Sequence, residues 1–408
     1  MFFSNLIKKG FGFVREMILA FFFGSSIVYA NYLLLKTIAD FFSQFTFGNA
    51  LQANLMPKFT KLYSSNSAVN LENVFLFTKK ISLKLFILSQ CIQLPLIWYV
   101  DIENKLVFVI VSFILGLLVS INFLNSIFLT IFQAKGEFQK HSFATTLNVS
   151  LSTLLLYPLV LMFNLIGVVI SRLIGVITLS LKYIRPLLSQ KGEIQANLSL
   201  RDFNFNVLVL GNFANILILI GRFLAGIDGS NEIAFFSYSI IILNTVLTAV
   251  IMNINTLVLK IISISGSIKL TLISTGLSLL IGLGLVLFVD LFSVDIIAFV
   301  YEREGGAFNL SDTRNTAFFL KELSWSFIFI FMATSLFQPF FTLDSAILRK
   351  NAKLFIVYLV VALISIGVFL FVQSYSHKTN IIIVMQFLSV VYFLLSLLSF
   401  NKYRRHVA

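Results

Sequence analysis

The stretch LVFVIVSFILGLLVSINFLNSIFLTIF, residues 106–132, contains no charged side chain. A helix rises about 1.5 Å per residue, so this stretch is long enough to cross the apolar core of a bilayer, which is about 30 Å thick. The strands of a transmembrane barrel would instead alternate apolar and polar residues over segments of about ten residues. The stretch therefore predicts a membrane-crossing helix.

Similar apolar runs recur along the whole chain of 408 residues. The chain is 58% hydrophobic and contains 47 phenylalanines, while charged residues make up only 12%, about half the fraction usual in soluble domains. We therefore predict an all-α, polytopic membrane protein of about twelve transmembrane helices. The predicted spans are 2–23, 27–57, 78–100, 106–132, 142–163, 165–187, 203–226, 233–259, 268–292, 316–346, 352–373 and 380–401.

The basic residues are distributed unevenly between the two predicted sides of the membrane. Of the 30 lysines and arginines, 21 fall in loops on one side and 5 on the other. Cytoplasmic loops of membrane proteins carry such an excess, so both termini are predicted to be cytoplasmic. The net charge of +13 is thus a topology signal, and we expect no nucleic-acid partner.

A polar loop at residues 188–202 separates six predicted spans from six more. We predict an N-terminal half at 1–187, a cytoplasmic linker at 188–202 and a C-terminal half at 203–408. Two six-helix halves around a central cavity are a common plan of transporters, with the substrate bound where the halves meet.

Several charged residues fall inside the predicted spans, as in GFGFVREMILAFFFG, residues 10–24. An ionised side chain at mid-membrane costs about 2.5–3.5 kcal/mol on insertion scales, so it turns towards protein or water. The residues concerned are Arg15, Glu16, Lys36, Asp40, Arg172, Arg222 and Asp344.

Each of these charges also has a purely structural interpretation. Lys36 and Asp40 have the i, i+4 spacing at which opposite charges pair on one helix face. Arg172 and Asp344 can reach the interface if they lie near helix ends. Arg15 and Glu16 are adjacent and leave a helix about 100° apart, so we expect them to pair poorly with each other and to need other partners.

Cations outnumber anions among these residues, which favours a cationic cavity and an anionic ligand such as a phosphate or diphosphate. Polar amides in the spans, Gln44 among them, are suited to hydrogen-bond a sugar. The predicted substrate-binding residues are Arg15, Glu16, Lys36, Asp40, Gln44, Arg172 and Arg222.

The sequence has no pattern typical of an enzyme. It lacks a glycine-rich P-loop, and its three histidines, His141, His377 and His406, do not have the spacing of metal ligands. We therefore expect no catalytic residues, no metal and no cofactor.

Five stretches resemble, in order along the chain, the MviN/MurJ family of lipid II flippases. This family belongs to the multidrug, oligosaccharidyl-lipid and polysaccharide exporter (MOP) superfamily. The stretches are GFGFVREMILAFFFGSS at 10–26, FTFGNALQANLMPKFTKLY at 45–63, FQAKGEFQKHSFATTLNV at 132–149, GRFLAGIDGSNEIAFFSYS at 221–239 and IIAFVYEREGGAFNLSDTRNTAFFLK at 296–321.

The resemblance implies roles for two arginines, since Arg15 matches the family's arginine in the first helix and Arg222 looks like that in the seventh. Elsewhere the chain departs from the family, because uncharged residues replace charged ones at Ala30, Ser43, Gln44 and near Ile241. This implies a diverged member that moves a lipid-linked glycan, either lipid II or a surface-polysaccharide precursor.

The implied location is the bacterial cytoplasmic membrane. The implied partners are the lipid-linked glycan, membrane lipids and enzymes of cell-envelope biosynthesis. Two other functions remain open: a cation-coupled multidrug antiporter, whose cavity would be dominated by acidic residues, and a membrane scaffold without transport activity.

Overall fold

The computed structural model describes residues 2–46, 49–63, 69–100, 102, 104–188, 192, 194–203, 205–265, 268–337, 345–373 and 375–407. The helices are α1 (Phe2–Phe23), α2 (Ile27–Thr46), α3 (Asn49–Tyr63), α4 (Glu72–Tyr99), α5 (Lys105–Ala134), α6 (Phe138–Leu154), α7 (Leu156–Phe163), α8 (Leu165–Leu179), α9 (Arg185–Leu188), α10 (Phe205–Gly211), α11 (Phe213–Gly226), α12 (Glu232–Val246), α13 (Met252–Ser265), α14 (Ile268–Tyr301), α15 (Leu310–Leu336), α16 (Ser345–Val372) and α17 (His377–Val407). Wider π-helical turns, Ser180–Ile184 and Leu247–Ile251, join α8 to α9 and α12 to α13.

The prediction of an all-α, polytopic membrane protein is confirmed. In the described ranges, eight helical segments are long and apolar enough to cross a membrane, or nine if the bent pair α6–α7 forms one span. Three further predicted spans are helical: α1 and α2, which carry charges, and the shorter pair α10–α11. Together they account for the predicted number of about twelve spans.

Two further predicted spans consist of more than one helical element. The run predicted at 27–57 divides into α2, which ends at Thr46, and α3, which begins at Asn49. The run predicted at 142–163 is bent by 41° between α6 and α7. Pro158 explains this bend, because its nitrogen carries no hydrogen to donate to the carbonyl of Leu154 one turn earlier.

The predicted loop at 293–315 is shorter in the structure, because α14 continues to Tyr301 and α15 begins at Leu310. Asn309 and Asp312 form a capping box at the start of α15, in which each side chain accepts a hydrogen bond from the other residue's backbone N–H at 3.1 Å. Such reciprocal bonds satisfy N–H groups that the first helical turn leaves without partners. The stretch at 296–321 thus includes a well-defined helix start.

The chain forms two compact units, of which the first comprises Met1–Asn212 and Ile227–Gly229. Its central helix is α5, which packs against α2, α3, α4 and α8. One apolar core in this unit gathers side chains from several helices, among them Phe59, Phe128 and Leu179. Burial of such side chains stabilises the packing of the surrounding helices against α5.

The second unit comprises Phe213–Gly226 and Ser230–Ala408. Its central helix is α15, which packs against α12, α14 and α17. The aromatic rings of Tyr238 and Tyr301 lie with centroids 4.7 Å apart, and Phe308 packs against both. The sequence-based division into halves at 188–202 stays a prediction.

In the first unit, two segments that the sequence predicts to be cytoplasmic loops contact each other directly. Val69–Asn70 and Ile194–Gln195 form a short parallel pair of strands, and Asn73 donates a hydrogen bond to Asn197 at 2.8 Å. The Lys58 ammonium lies 2.7 Å from the Asp202 carboxylate, which also accepts hydrogen bonds from the backbone and hydroxyl of Ser199. We call these contacts the loop clasp.

The carboxylate of Asp202 gives the loop clasp a pH dependence. Partial burial acts to raise the pKa of Asp202, but the hydrogen bonds from Lys58 and Ser199 outweigh it and hold the pKa below its usual value of 3.8. A carboxyl with a lowered pKa contributes stability above its unfolded pKa, and this contribution is lost as the pH falls through the lowered value. The loop clasp is therefore fully formed at neutral pH.

We predict that Lys58→Met speeds cleavage of the segment 188–202 by a protease about fivefold at pH 7. A partly exposed ion pair contributes up to about 1 kcal/mol, and cleavage follows the population of the open loop when opening is fast. Limited proteolysis checks this, with the exposed Lys79→Met as the control. Equal cleavage rates in the two variants would contradict a stabilising role for the Lys58–Asp202 pair.

Candidate functional site

The position of α1 in the first unit is fixed by its packing against α6. The Lys8 ammonium donates a hydrogen bond to the Thr145 hydroxyl at 3.2 Å, and the Thr153 hydroxyl donates one to the Phe11 carbonyl at 3.3 Å. These polar contacts join the two helices at two levels along α1. They orient the next turns of α1, which carry the charged pair.

Arg15 and Glu16 form a salt bridge, contrary to the expectation that they pair poorly. The distance between Arg15 Nη2 and Glu16 Oε1 is 2.8 Å, and the side chains are only 19% and 7% exposed. The expectation considered only the directions in which the side chains leave the helix. The long, flexible stem of arginine lets its guanidinium turn back to the neighbouring carboxylate.

Glu16 is also within electrostatic range of two cations on other helices, Lys36 on α2 and Arg172 on α8. Its second carboxylate oxygen, Oε2, is buried and has no hydrogen-bond partner among the described residues. In a low-dielectric environment such an oxygen interacts strongly with nearby positive charge. Glu16 therefore pairs with Arg15 and lies within electrostatic range of two further cations.

The helix α2 presents four polar residues at intervals of four: Tyr32, Lys36, Asp40 and Gln44. Residues at this spacing lie on one face of a helix. Lys36 is buried and Asp40 half-buried, and the proposed Lys36–Asp40 ion pair stays a prediction. Gln44 is two turns beyond Lys36, and its backbone carbonyl accepts a hydrogen bond from Asn212 at 2.8 Å.

Arg172 lies in the interior of the continuous helical segment Leu165–Leu188 and not at one of its ends. Its side chain is half-buried, and it is within electrostatic range of both Glu16 and Tyr32. Both groups belong to neighbouring helices of the same unit. They therefore favour an interior role for Arg172 over an extension to the membrane interface.

Two tyrosines belong to the same group, and the sequence analysis did not identify them. Tyr29 and Tyr32 are each 1% exposed, and both lie within electrostatic range of Arg15. Tyr32 lies four residues before Lys36 on the polar face of α2. This spacing is the feature of the sequence from which Tyr32 could have been identified. A buried phenol normally needs a hydrogen-bond partner, which makes these hydroxyls further polar groups at this site.

We call Arg15, Glu16, Lys36, Asp40 and Arg172 the Arg15 cluster. The structure brings these five predicted residues together within the first unit, from α1, α2 and α8. With every group ionised, three cations face two anions, so the cluster carries a net positive charge. Its guanidinium and ammonium groups offer several N–H donors to the oxygens of an anionic ligand.

The other two charges predicted at membrane depth are Arg222 and Asp344. Arg222 belongs to the second unit, where it is buried on α11. This helix packs against α12 and α17. Asp344 lies outside the described residues. In the described part of the chain, no group of three or more His, Cys, Asp or Glu side chains is arranged to hold a metal ion.

The arrangement of the helices is that of MOP superfamily transporters. The chain is similar to an inward-facing multidrug resistance MATE family transporter of the MOP superfamily, with 13% identity over 100% of this chain and 94% of the other and a TM-score of 0.66. It is also similar to a MOP superfamily transporter from Pyrococcus furiosus for which a reversed polarity of the binding pocket suggests a different function. That comparison has 14% identity over 99% of this chain and 91% of the other, with a TM-score of 0.51.

The particular likeness expected from the sequence is also present. The chain is similar to the lipid II flippase MurJ in its inward closed conformation, with 17% identity over 98% of this chain and 87% of that chain and a TM-score of 0.76. The resemblance to this family is thereby confirmed at the level of the fold. No family model and no curated protein sequence matches the chain.

We predict that Glu16→Gln destabilises the protein by about 3 kcal/mol, because it removes the anion that Arg15, Lys36 and Arg172 share and leaves buried positive charge uncompensated. Thermal unfolding in detergent measures the loss, and Glu72→Gln, at an exposed glutamate of the same unit, is the control. The double variant Glu16→Gln with Lys36→Met is expected to regain part of the lost stability. A melting temperature unchanged by Glu16→Gln would contradict this account of the cluster.

Proposed function

We propose that the protein is a flippase that moves an isoprenoid-diphosphate-linked sugar or oligosaccharide across the bacterial cytoplasmic membrane. The observation that carries the proposal is the Arg15 cluster, in which one buried carboxylate is paired with Arg15 and lies within electrostatic range of Lys36 and Arg172. Charges at this depth are costly to insert, and those that occur in membrane proteins commonly mark substrate pathways.

The chemistry of the cluster suits a diphosphate. A guanidinium offers paired, planar donors that match phosphate oxygens, and an ammonium adds a compact point charge. In the absence of substrate, Glu16 partly neutralises these cations. A bound diphosphate, which carries more negative charge than a single carboxylate, would compete with Glu16 for Arg15. Binding would therefore exchange one ion pair for another and would not expose an unpaired charge.

The proposed path also draws on the remaining predicted residues. Gln44, two turns from Lys36 on α2, would hydrogen-bond sugar hydroxyls, and Arg222 would be a phosphate ligand from the C-terminal half. The lipid tail would remain in the bilayer. Two six-helix halves would open a central cavity alternately to each side, as in transporters built from repeats.

The direction of transport is favourable for an anionic substrate. An inside-negative potential contributes about 2.3 kcal/mol per charge per 100 mV. It therefore assists the outward movement of negative charge. The proposed substrate is made on the cytoplasmic side and used outside, so lipid-linked glycan and membrane lipids are the proposed partners, together with enzymes of cell-envelope biosynthesis.

A cation-coupled multidrug antiporter is the second candidate, because the chain shares its fold with MATE family transporters. The charge of the Arg15 cluster favours the flippase, since a cavity for cationic drugs would carry an excess of acidic residues. A scaffold without transport activity would account for the departures from the family at Ala30, Ser43 and Ile241. However, a scaffold would not account for the buried charges of the Arg15 cluster, which are energetically costly to insert.

We predict that the purified protein binds undecaprenyl diphosphate with an attached sugar and that Arg15→Ala weakens this binding about 10- to 100-fold. Hydrogen bonds to charged groups contribute about 1.5–3 kcal/mol, and each 1.4 kcal/mol corresponds to a factor of ten in affinity. Native mass spectrometry measures the binding. Arg314→Ala, at an exposed arginine of α15, is the matched control and is expected to bind like the unaltered protein.

Two outcomes would reject the flippase proposal. One is the absence of binding to any diphosphate lipid by the unaltered protein. The other is equal binding by Arg15→Ala and Arg314→Ala, which would show that the Arg15 guanidinium does not contact the lipid. Tighter binding of a lipophilic cation than of a diphosphate lipid would support the antiporter instead.

A further inference from the structure

A cavity lies within the first unit, where several helices begin or end, and none of its described lining residues belongs to the Arg15 cluster. Its volume is about 440 Å³, within the range of about 300–1,000 Å³ usual for small-molecule sites. The cavity is formed where α2, α5 and α8 begin and where α4 and α7 end. Its lining includes Asn31, Asn104, Asn164, Val107, Phe108 and Phe163.

Three asparagines supply the polar side chains of this cavity. Asn31 is on α2, Asn104 directly precedes α5, and Asn164 separates α7 from α8. Asn104 and Asn164 have positive φ angles of 54° and 50°, which asparagine adopts more readily than most side chains. Both asparagines therefore lie where α5 and α8 begin, at the wall of the cavity.

Asn31 is the most informative of the three. It is only 6% exposed, and it is one of the residues that line the cavity. Burying an amide without a partner costs free energy. Because Asn31 lines the cavity, a ligand in the cavity is positioned to form hydrogen bonds with its amide.

The remaining lining residues restrict the chemistry of that ligand. None of the lining residues that the structure describes is charged, which favours an uncharged ligand. Each asparagine amide both donates and accepts hydrogen bonds, which matches a hydroxyl group, itself a donor and an acceptor. Phe108 and Phe163 provide apolar surface for the C–H groups of a sugar ring.

We infer that this cavity binds an uncharged, hydroxyl-rich group such as one or two sugar units. On the predicted topology α2 begins at the outer face of the membrane, so the cavity opens on the side where a transported glycan would emerge. The inference goes beyond the proposed function, because it requires neither a diphosphate nor a lipid. We call this cavity the asparagine cavity.

The test uses free N,N′-diacetylchitobiose, a disaccharide without phosphate or lipid, and the full-length protein in detergent. Saturation-transfer-difference NMR is expected to show binding to the unaltered protein. Asn31→Leu, which keeps the side-chain size but removes the amide, is expected to weaken binding about three- to tenfold. Val107→Trp, which fills the cavity without altering an amide, is expected to abolish it.

Two controls accompany these variants. Asn122→Leu removes an asparagine of α5 that does not line the cavity and is expected to bind the disaccharide normally. Melting temperatures of all variants identify any that fail to fold. A second arm with a neutral glycolipid in nanodiscs distinguishes a free sugar chain from a lipid headgroup as the source of the bound sugar.

The outcomes separate this inference from the proposed function. Arg15→Ala is expected to bind the free disaccharide normally. Loss of diphosphate-lipid binding together with normal disaccharide binding would therefore concern the role of the Arg15 cluster alone and would leave the inference about the asparagine cavity intact. Failure of the unaltered protein to bind either the disaccharide or the glycolipid would overturn the inference. So would normal binding by a folded Val107→Trp variant.

Discussion

The candidate site is built on one interaction, the 2.8 Å salt bridge between Arg15 and Glu16 inside the first helix. An isolated charge in the bilayer is costly, but an ion pair with well-aligned donors is much less so. The pair therefore lets α1 carry an arginine at membrane depth. It also leaves one carboxylate oxygen of Glu16 without a hydrogen-bond partner among the described residues, and Lys36 and Arg172 are in electrostatic range of that carboxylate.

The fold of the first unit places these groups together. Packing against α6 fixes α1, while α5 contacts both α2 and α8 and so positions Lys36 and Arg172 on helices that share one neighbour. The charges are thus held by elements whose own stability comes from apolar burial around α5. Rigid helices can keep such a cluster assembled while its ion pairs exchange one partner for another, which is what binding of an anionic ligand requires.

The helices and the charged positions could be predicted from the sequence, because continuous apolar runs and isolated charges within them are direct consequences of the bilayer. Details that depend on local geometry could not be predicted from the sequence. The bend near Pro158 interrupts a run that is apolar throughout, and the Arg15–Glu16 bond depends on a rotamer that spacing does not specify. The burial of Asn31 beside a cavity arises only when the ends of five helices meet.

Transport itself tests the central claim most directly. Proteoliposomes that contain a fluorescent undecaprenyl-diphosphate-linked sugar, with a membrane-impermeant quencher outside, report the movement of the lipid between leaflets. The account predicts that the unaltered protein speeds this movement and that Arg15→Ala slows it about tenfold or more, while Arg314→Ala does not. Unaccelerated movement with the unaltered protein, or equal rates with Arg15→Ala, would contradict the claim that the buried cations carry a diphosphate across the membrane.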